Sequence, residues 1–249
     1  MSALTVDQQA ELLALTKSVD SVELKLSIAD DEQYSTGTAL GLDPIKAEIR
    51  QVFFFDTAGL DLDAAGIVVR ARRIQGEEAD TVVKLRPVDP ETLPDDLRKS
   101  ESSKVEVDIM PGKYVCSASL KGKSDPDEVL RAIAGKQDIA ELFSKEQRGF
   151  FESHAPKGTS LNELTALGPI LTLKQKFMVK ALKRELVAEL WFYPDHTRIL
   201  ELSTKCDPNE TFQAVAEVNS YLSEKGVDLD AEQKTKTKTA LNYFAKHRL

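Results

Sequence analysis

Charged residues recur two apart along this chain: Glu23-x-Lys25, Arg70-x-Arg72, Lys84-x-Arg86, Lys104-x-Glu106-x-Asp108 and Lys174-x-Lys176. A spacing of two puts side chains on one face of a β-strand. By itself, that alternation fits a one-sided antiparallel sheet with its charged face in water. Such a face gains from mixed signs, because like charges side by side repel. Here the bases come as like-signed pairs, Arg70 with Arg72 and Lys84 with Arg86. Clusters of Arg and Lys match polyphosphate oxygens, and Arg does so bidentately. Carboxylates on strand faces suit Mg or Mn, hard cations that take oxygen ligands and bridge phosphates. No Walker-type glycine loop is present: Gly59 and Gly66 are followed by no Lys-Ser/Thr pair. Phosphate would therefore be held by side chains instead of a helix N-terminus.

The elements that must position these groups are legible as alternating runs. Strands are expected at residues 21–28, 47–55, 66–74, 81–86, 104–110, 170–178, 185–193 and 198–205. Residues 29–44 and 87–100, with their glycines, prolines and acids, read as irregular connections. Helices are expected at residues 5–17, at 126–134 and 139–151, after the start signal at residues 207–210, and at 231–246. Asp125-Pro126-Asp127-Glu128 has the form of a capping box with Pro at the first helical position. In the helix after Asp207, the face is expected to hold Phe212, Val215, Ala216, Asn219 and Leu222. Trp191 and Phe192 take opposite strand faces, Phe192 toward the core and Trp191 near a barrel mouth. Amphipathic helices need an apolar sheet face to cover, so an apolar outside and a charged inside predict a barrel with a polar lumen. The two groups of strands flank one helical segment at about residues 125–155, which predicts a single α+β domain over residues 1–249.

Composition bounds the function classes. The chain has 249 residues, 33 Lys+Arg and 41 Asp+Glu, a net charge of −8, and 41% hydrophobic residues. That is ordinary globular composition, which excludes wholesale disorder. The acidic balance argues against general nucleic-acid binding. No apolar run approaches the ~20 residues of a membrane helix. Residues 1–20 mix acids among leucines and do not read as a signal peptide. Two cysteines, Cys116 and Cys206, cannot build a disulfide framework, which suits a cytoplasmic location. Nothing in the sequence sets an oligomeric state.

Six pieces in order resemble the CYTH superfamily, the triphosphate tunnel enzymes. They are Phe53-Phe54-Phe55-Asp56-Thr57 with Leu62 and the run from Gly66 to Arg72, then Val83-Lys84-Leu85-Arg86, then Lys104-Val105-Glu106-Val107-Asp108. The first strand, the helical run from Leu142 to Arg148 and the late Ile199-Leu200-Glu201-Leu202 complete the set. The resemblance implies an eight-stranded antiparallel barrel, a tunnel, around a small-molecule triphosphate and a Mg or Mn ion. Position by position, it implies that Lys25, Arg70, Arg72, Lys84 and Arg86 bind phosphate oxygens. Lys104, and Lys174 or Lys176, would add to them, and Lys236 or a neighbouring lysine would reach in from the terminal helix. Glu23, Glu106, Asp108, Glu189 and Glu201 would be metal ligands, with Glu23, Lys25 and Glu201 as the catalytic groups. Two positions depart from the pattern: Ser21 stands where the family has its first glutamate, and Ser203 stands in the late Glu-x-Glu. Both remove a carboxylate from the metal side. The activities implied are hydrolysis of inorganic, thiamine or nucleoside triphosphate, or conversion of ATP to cyclic AMP and pyrophosphate. A binding module without catalysis is the third expectation, motivated by the two serines.

Overall fold

The computed structural model describes residues 4–247. The ends of the expected 1–249 domain, residues 1–3 and 248–249, lie outside the described residues. The strands are β1 (Ser21–Ile28), β2 (Glu48–Asp56), β3 (Ile67–Ile74), β4 (Ala79–Leu85), β5 (Ser103–Met110), β6 (Lys113–Ser124), β7 (Thr165–Val179), β8 (Arg184–Phe192) and β9 (Arg198–Cys206). They close into one barrel in the order β1-β5-β6-β4-β3-β2-β7-β8-β9, with β9 pairing back onto β1.

This corrects the expected eight-stranded antiparallel barrel in two respects. The barrel has nine strands, and it is mixed, because β1 runs parallel to β5 while every other neighbour is antiparallel. The additional strand is β6, Lys-Tyr-Val-Cys-Ser-Ala-Ser-Leu-Lys-Gly-Lys-Ser. Beyond Tyr114 and Val115, its lysines, alanine and glycine have low β-propensity, so the local signal is weak. Tertiary pairing makes it a strand: it lies between β5 and β4 along eight and seven residue pairs respectively.

The helices are α1 (Val6–Thr16), α2 (Gln33–Ala39), α3 (Asp61–Ala64), α4 (Asp95–Lys99), α5 (Pro126–Ile133), α6 (Lys145–His154), α7 (Thr211–Glu224) and α8 (Lys236–Lys246). Residues 29–44 and 87–100 are thus not wholly irregular: they hold α2 and α4. Capping decides several starts. Thr5 with Gln8, Asp125 with Glu128 and Ser144 with Gln147 form reciprocal capping boxes, and Pro126 sits at the first turn of α5. After Asp207 the chain makes a short 3-10 turn, Pro208–Glu210, before α7 begins. The buried face of α7 is Thr211, Ala214, Val218 and Leu222, and Phe212 is exposed, so the expected face is rotated. The terminal helix starts at Lys236, five residues later than expected.

The sheet buries its apolar alternation against the helices. Val22, Leu24 and Leu26 of β1, Val105 and Val107 of β5, and Ala118 and Leu120 of β6 share one core with Leu12, Val129, Phe151, Ala214 and Leu222 from the helices. The residues between them on each strand face the other way. A second apolar cluster lies on that opposite face, built from Val52, Phe54, Ile170, Trp191 and Ile199 and covered by Ala240, Leu241 and Phe244 of α8. Trp191 and Phe192 take opposite faces as expected, but Trp191 is buried under α8 and Phe192 is only half-buried. Among the described residues no helix is long and apolar enough to cross a membrane.

Candidate functional site

Register gathers the expected residues on the face opposite the main core. On one side of the barrel, Glu23 lies directly opposite Asp108, and Lys25 opposite Ser203. Glu189 lies opposite both Lys174 and Glu201. On the other side, Arg72 pairs with Asp80, and Arg70 lies opposite Phe54. Glu23, Lys25, Arg70, Arg72, Lys84, Arg86, Asp108, Lys174, Glu189, Glu201 and Lys236 all stand on this face or reach into it.

Lys25 Nζ lies 2.9 Å from Asp108 Oδ2 and 3.3 Å from Glu23. Burial works to lower its pKa, but Glu23, Asp108 and Glu201 outweigh it and hold the ammonium charged. Arg86 reaches the same Asp108 at 3.2 Å. Asp108 is fully buried; burial opposes its charge, yet Lys25, Lys84 and Arg86 keep its carboxyl below the usual range. Lys236 Nζ bridges Glu189 and Glu201, at 2.8 Å from Glu201 Oε1, and sits over the Trp191 ring at 5.1 Å. Its place is set by the entry to α8. Ser27 holds Gln233 and the Lys234 carbonyl, and the Tyr193 hydroxyl donates to the Lys236 carbonyl. Burial again works against the Lys236 charge, and the two glutamates raise its pKa in spite of it.

The basic wall is less satisfied. Arg72 is held in a fork on Asp80, with Nε at 2.9 and 3.0 Å from the two carboxylate oxygens. Arg70 comes no closer to Asp80 than 3.9 Å, and its buried Nε has no acceptor. Burial and the neighbouring Arg72 both press against its charge. Arg50 of β2, paired with Glu48, leaves its buried Nη1 without an acceptor. Lys84 has no carboxylate within ion-pair distance among the described residues. Burial pushes its pKa down to about 8, with Lys25 and Arg86 adding to the fall and Asp108 opposing it.

Three expected residues stand apart. Lys176 is exposed, paired with Glu185 at 3.5 Å, and Lys104 is part-exposed, 3.5 Å from Glu106. Glu106 is tied to Lys205 and accepts from Ser21 at 3.1 Å; burial opposes its charge, but Lys205 brings its pKa down to about 2. The serine that replaces the expected first glutamate thus donates to a carboxylate. Sequence reasoning missed Asp80 and Arg50. Asp80 shares alternation with Lys84 and Arg86 and would have been found had β4 been started two residues earlier. Arg50 shares its face of β2 with Val52 and Phe54, an apolar pattern that reads as core.

A divalent cation would need oxygen donors. Among the described residues there is no group of three or more His, Cys, Asp or Glu poised to hold one. The best available donor set is the directly opposed pair Glu189 and Glu201, with Lys236 now between them. One or two carboxylates suffice for Mg when phosphate oxygens complete the shell. The pair therefore fits one ion shared with a phosphate, and it does not fit two.

No protein-family model matches the chain, and no curated protein matches it in sequence. Solved structures do match. A candidate adenylyl cyclase from Hippeastrum, described as having a dominant triphosphatase activity, superposes with a TM-score of 0.62 at 16% identity, over 89% of this chain and 95% of that one. A candidate adenylate cyclase from Bacillus halodurans gives a TM-score of 0.62 at 12% identity, over 89% of this chain and 97% of that one. Identities this low speak to architecture alone, and on that ground the protein has a CYTH-type fold.

Proposed function

We propose that the protein acts on a triphosphate-bearing small molecule bound on the charged face, which we take to be the barrel lumen. The observation that carries this reading is the set of unsatisfied bases: Lys84 without an ion-pair partner, and buried Arg70 Nε and Arg50 Nη1 without acceptors. Buried donors are costly to leave unpaired, and a polyanion would satisfy all three. The Hippeastrum structure, with its triphosphatase activity, supports the same direction.

In this reading the substrate is inorganic, thiamine or nucleoside triphosphate, and the reaction is metal-dependent hydrolysis. Lys25, Arg70, Arg72, Lys84 and Arg86 bind phosphate oxygens and stabilise the charge that develops as the terminal phosphoryl group leaves. Lys174 and Lys236 extend that basic set, and Lys104 and Lys176 lie outside it. Glu189 and Glu201 would hold one Mg or Mn ion, with Glu23 and Asp108 on the neighbouring strands. Such an ion supplies Lewis-acid polarisation of phosphate oxygens and lowers the pKa of bound water. With an ion held there, Lys236 would be free to turn from the carboxylates to the substrate. Glu201 and Glu23 would orient the attacking water.

One observation favours a second reading, binding without turnover. The Lys236 ammonium already bridges Glu189 and Glu201, and serines stand at positions 21 and 203. The experiment is incubation with triphosphate, thiamine triphosphate and ATP, with and without Mg or Mn, measuring phosphate, pyrophosphate and cyclic AMP. Metal-dependent phosphate release supports hydrolysis, and cyclic AMP with pyrophosphate would identify a cyclase instead. Tight metal-independent binding with no product would establish the binding module. Replacing Arg70→Ala together with Arg72→Ala should weaken triphosphate binding at least 100-fold, and unchanged affinity would remove the site altogether.

A further inference from the structure

Away from the charged face, β7, β8 and β9 carry a cavity of about 300 Å³ between the barrel wall and α2. Leu173, Ala188, Leu190 and Leu200 line it from the strands. Each is the chain neighbour of Lys174, Glu189 or Glu201, so cavity and charged cluster occupy opposite faces of the same three strands. The lining is mostly apolar, and two of its polar groups matter for a ligand, the Gln33 amide and the Arg198 guanidinium. Gln33 of α2 is 6% exposed, and its Nε2 donates to Asp30 Oδ1 and to the Arg198 carbonyl, both at 3.3 Å. Both neighbours are acceptors, which fixes the orientation of the amide and leaves Oε1 without a donor. The Arg198 side chain is exposed and pairs with no carboxylate among the described residues.

We propose that this cavity is a second binding site, for a small apolar monocarboxylate that also carries an N–H or O–H donor. The apolar body would cover the four strand residues and remove their surface from water. The carboxylate would meet the Arg198 guanidinium, whose fork suits two carboxylate oxygens. The donor would satisfy Gln33 Oε1. The volume lies at the small end of ligand pockets, which fits a bicyclic ring and not a long lipid chain. This site uses none of the residues assigned to the triphosphate, so it stands or falls separately.

The probe is indole-3-acetate, titrated into the full chain by calorimetry and by ligand-observed NMR. Two comparison probes remove one feature each: 3-methylindole lacks the carboxylate, and 1-methylindole-3-acetate lacks the donor. The expected result is saturable binding of indole-3-acetate, with each comparison probe roughly tenfold weaker, the step that one lost hydrogen bond or ion pair produces. Arg198→Gln should bring indole-3-acetate down to the affinity of 3-methylindole and leave 3-methylindole unchanged. Gly37 lines the cavity, and a Cβ there meets no heavy atom within 4 Å. Gly37→Leu should therefore abolish binding of all three, and a thermal melt checks that it folds. Absence of saturable binding by every probe would overturn the proposal. So would equal affinity for indole-3-acetate and 3-methylindole, or binding indifferent to the surface change Arg198→Gln. A dimer whose interface covers the cavity and excludes the probes would overturn it too.

Discussion

At the scale of single residues, the site is a study in which charges are neutralised and which are not. Lys25 and Lys236 each hold two carboxylates and stay charged against burial. Lys84 does not, and its pKa near 8 puts it within reach of experiment. Below that pH it is an ammonium ready for an anion; above it, the free protein holds a neutral amine. A bound polyanion favours the charged form, so binding above pH 8 requires proton uptake. Triphosphate affinity should therefore fall as pH rises through about 8, by roughly 10-fold or more, the worth of one charge-assisted hydrogen bond. Calorimetric titrations between pH 6.5 and 9.5 test this. Lys84→Arg, which stays protonated throughout, separates the protein's contribution from the ligand's own titration. If wild type and Lys84→Arg follow the same pH curve, Lys84 does not contact the anion.

At the scale of elements, alternation is what delivers these groups. The pairs Arg70 with Arg72 and Lys84 with Arg86 were readable because period two survives into any sheet, whatever its partners. Arg86 depends on more than alternation. Its N–H donates to the Gly66 carbonyl at 2.8 Å, and Gly66 has φ +73 with space for a Cβ only 2.7 Å from the Arg86 carbonyl. A side chain there is strained by its backbone and blocked by Arg86 at once. Gly66→Ala should cost about 1–3 kcal/mol and shift Arg86 away from Asp108. Urea unfolding midpoints read the first effect and triphosphate affinity the second; a variant indistinguishable in both would mean the open end of the β3–β4 pair is looser than the close approach implies. Strand β6 marks the opposite limit. Its polar composition hid it, although Ser117 and Ser119 donate to the Glu106 and Lys104 carbonyls across the pairing and help seat the β5 carboxylates.

At the scale of the whole molecule, a net charge of −8 surrounds a face where bases stand unpaired. A ligand held by the basic set binds only the folded state, because those bases come from five different strands, β1, β2, β3, β4 and β7, and from α8. Saturating triphosphate at about 100 times its Kd should add about 2.7 kcal/mol and raise the melting temperature by roughly 5–10 °C. Inorganic phosphate at the same concentration should do much less. A melting temperature that triphosphate leaves unmoved, in the same buffer that shows binding or turnover, would place the anion elsewhere.

What the amino-acid sequence determined alone was local: which residues alternate, where helices are capped, and that bases cluster on strand faces while acids crowd loops and helix starts. These follow from backbone geometry and short-range hydrogen bonding, which need no distant partner. Only the tertiary structure decided the ninth strand, the parallel pairing of β1 with β5, the burial of Trp191 under α8, and the setting of Lys236 between Glu189 and Glu201. Each depends on contacts between segments far apart in the chain: a serine-rich strand exists because two neighbours pair with it, and a lysine from the terminal helix finds its carboxylates because the barrel closes beneath it.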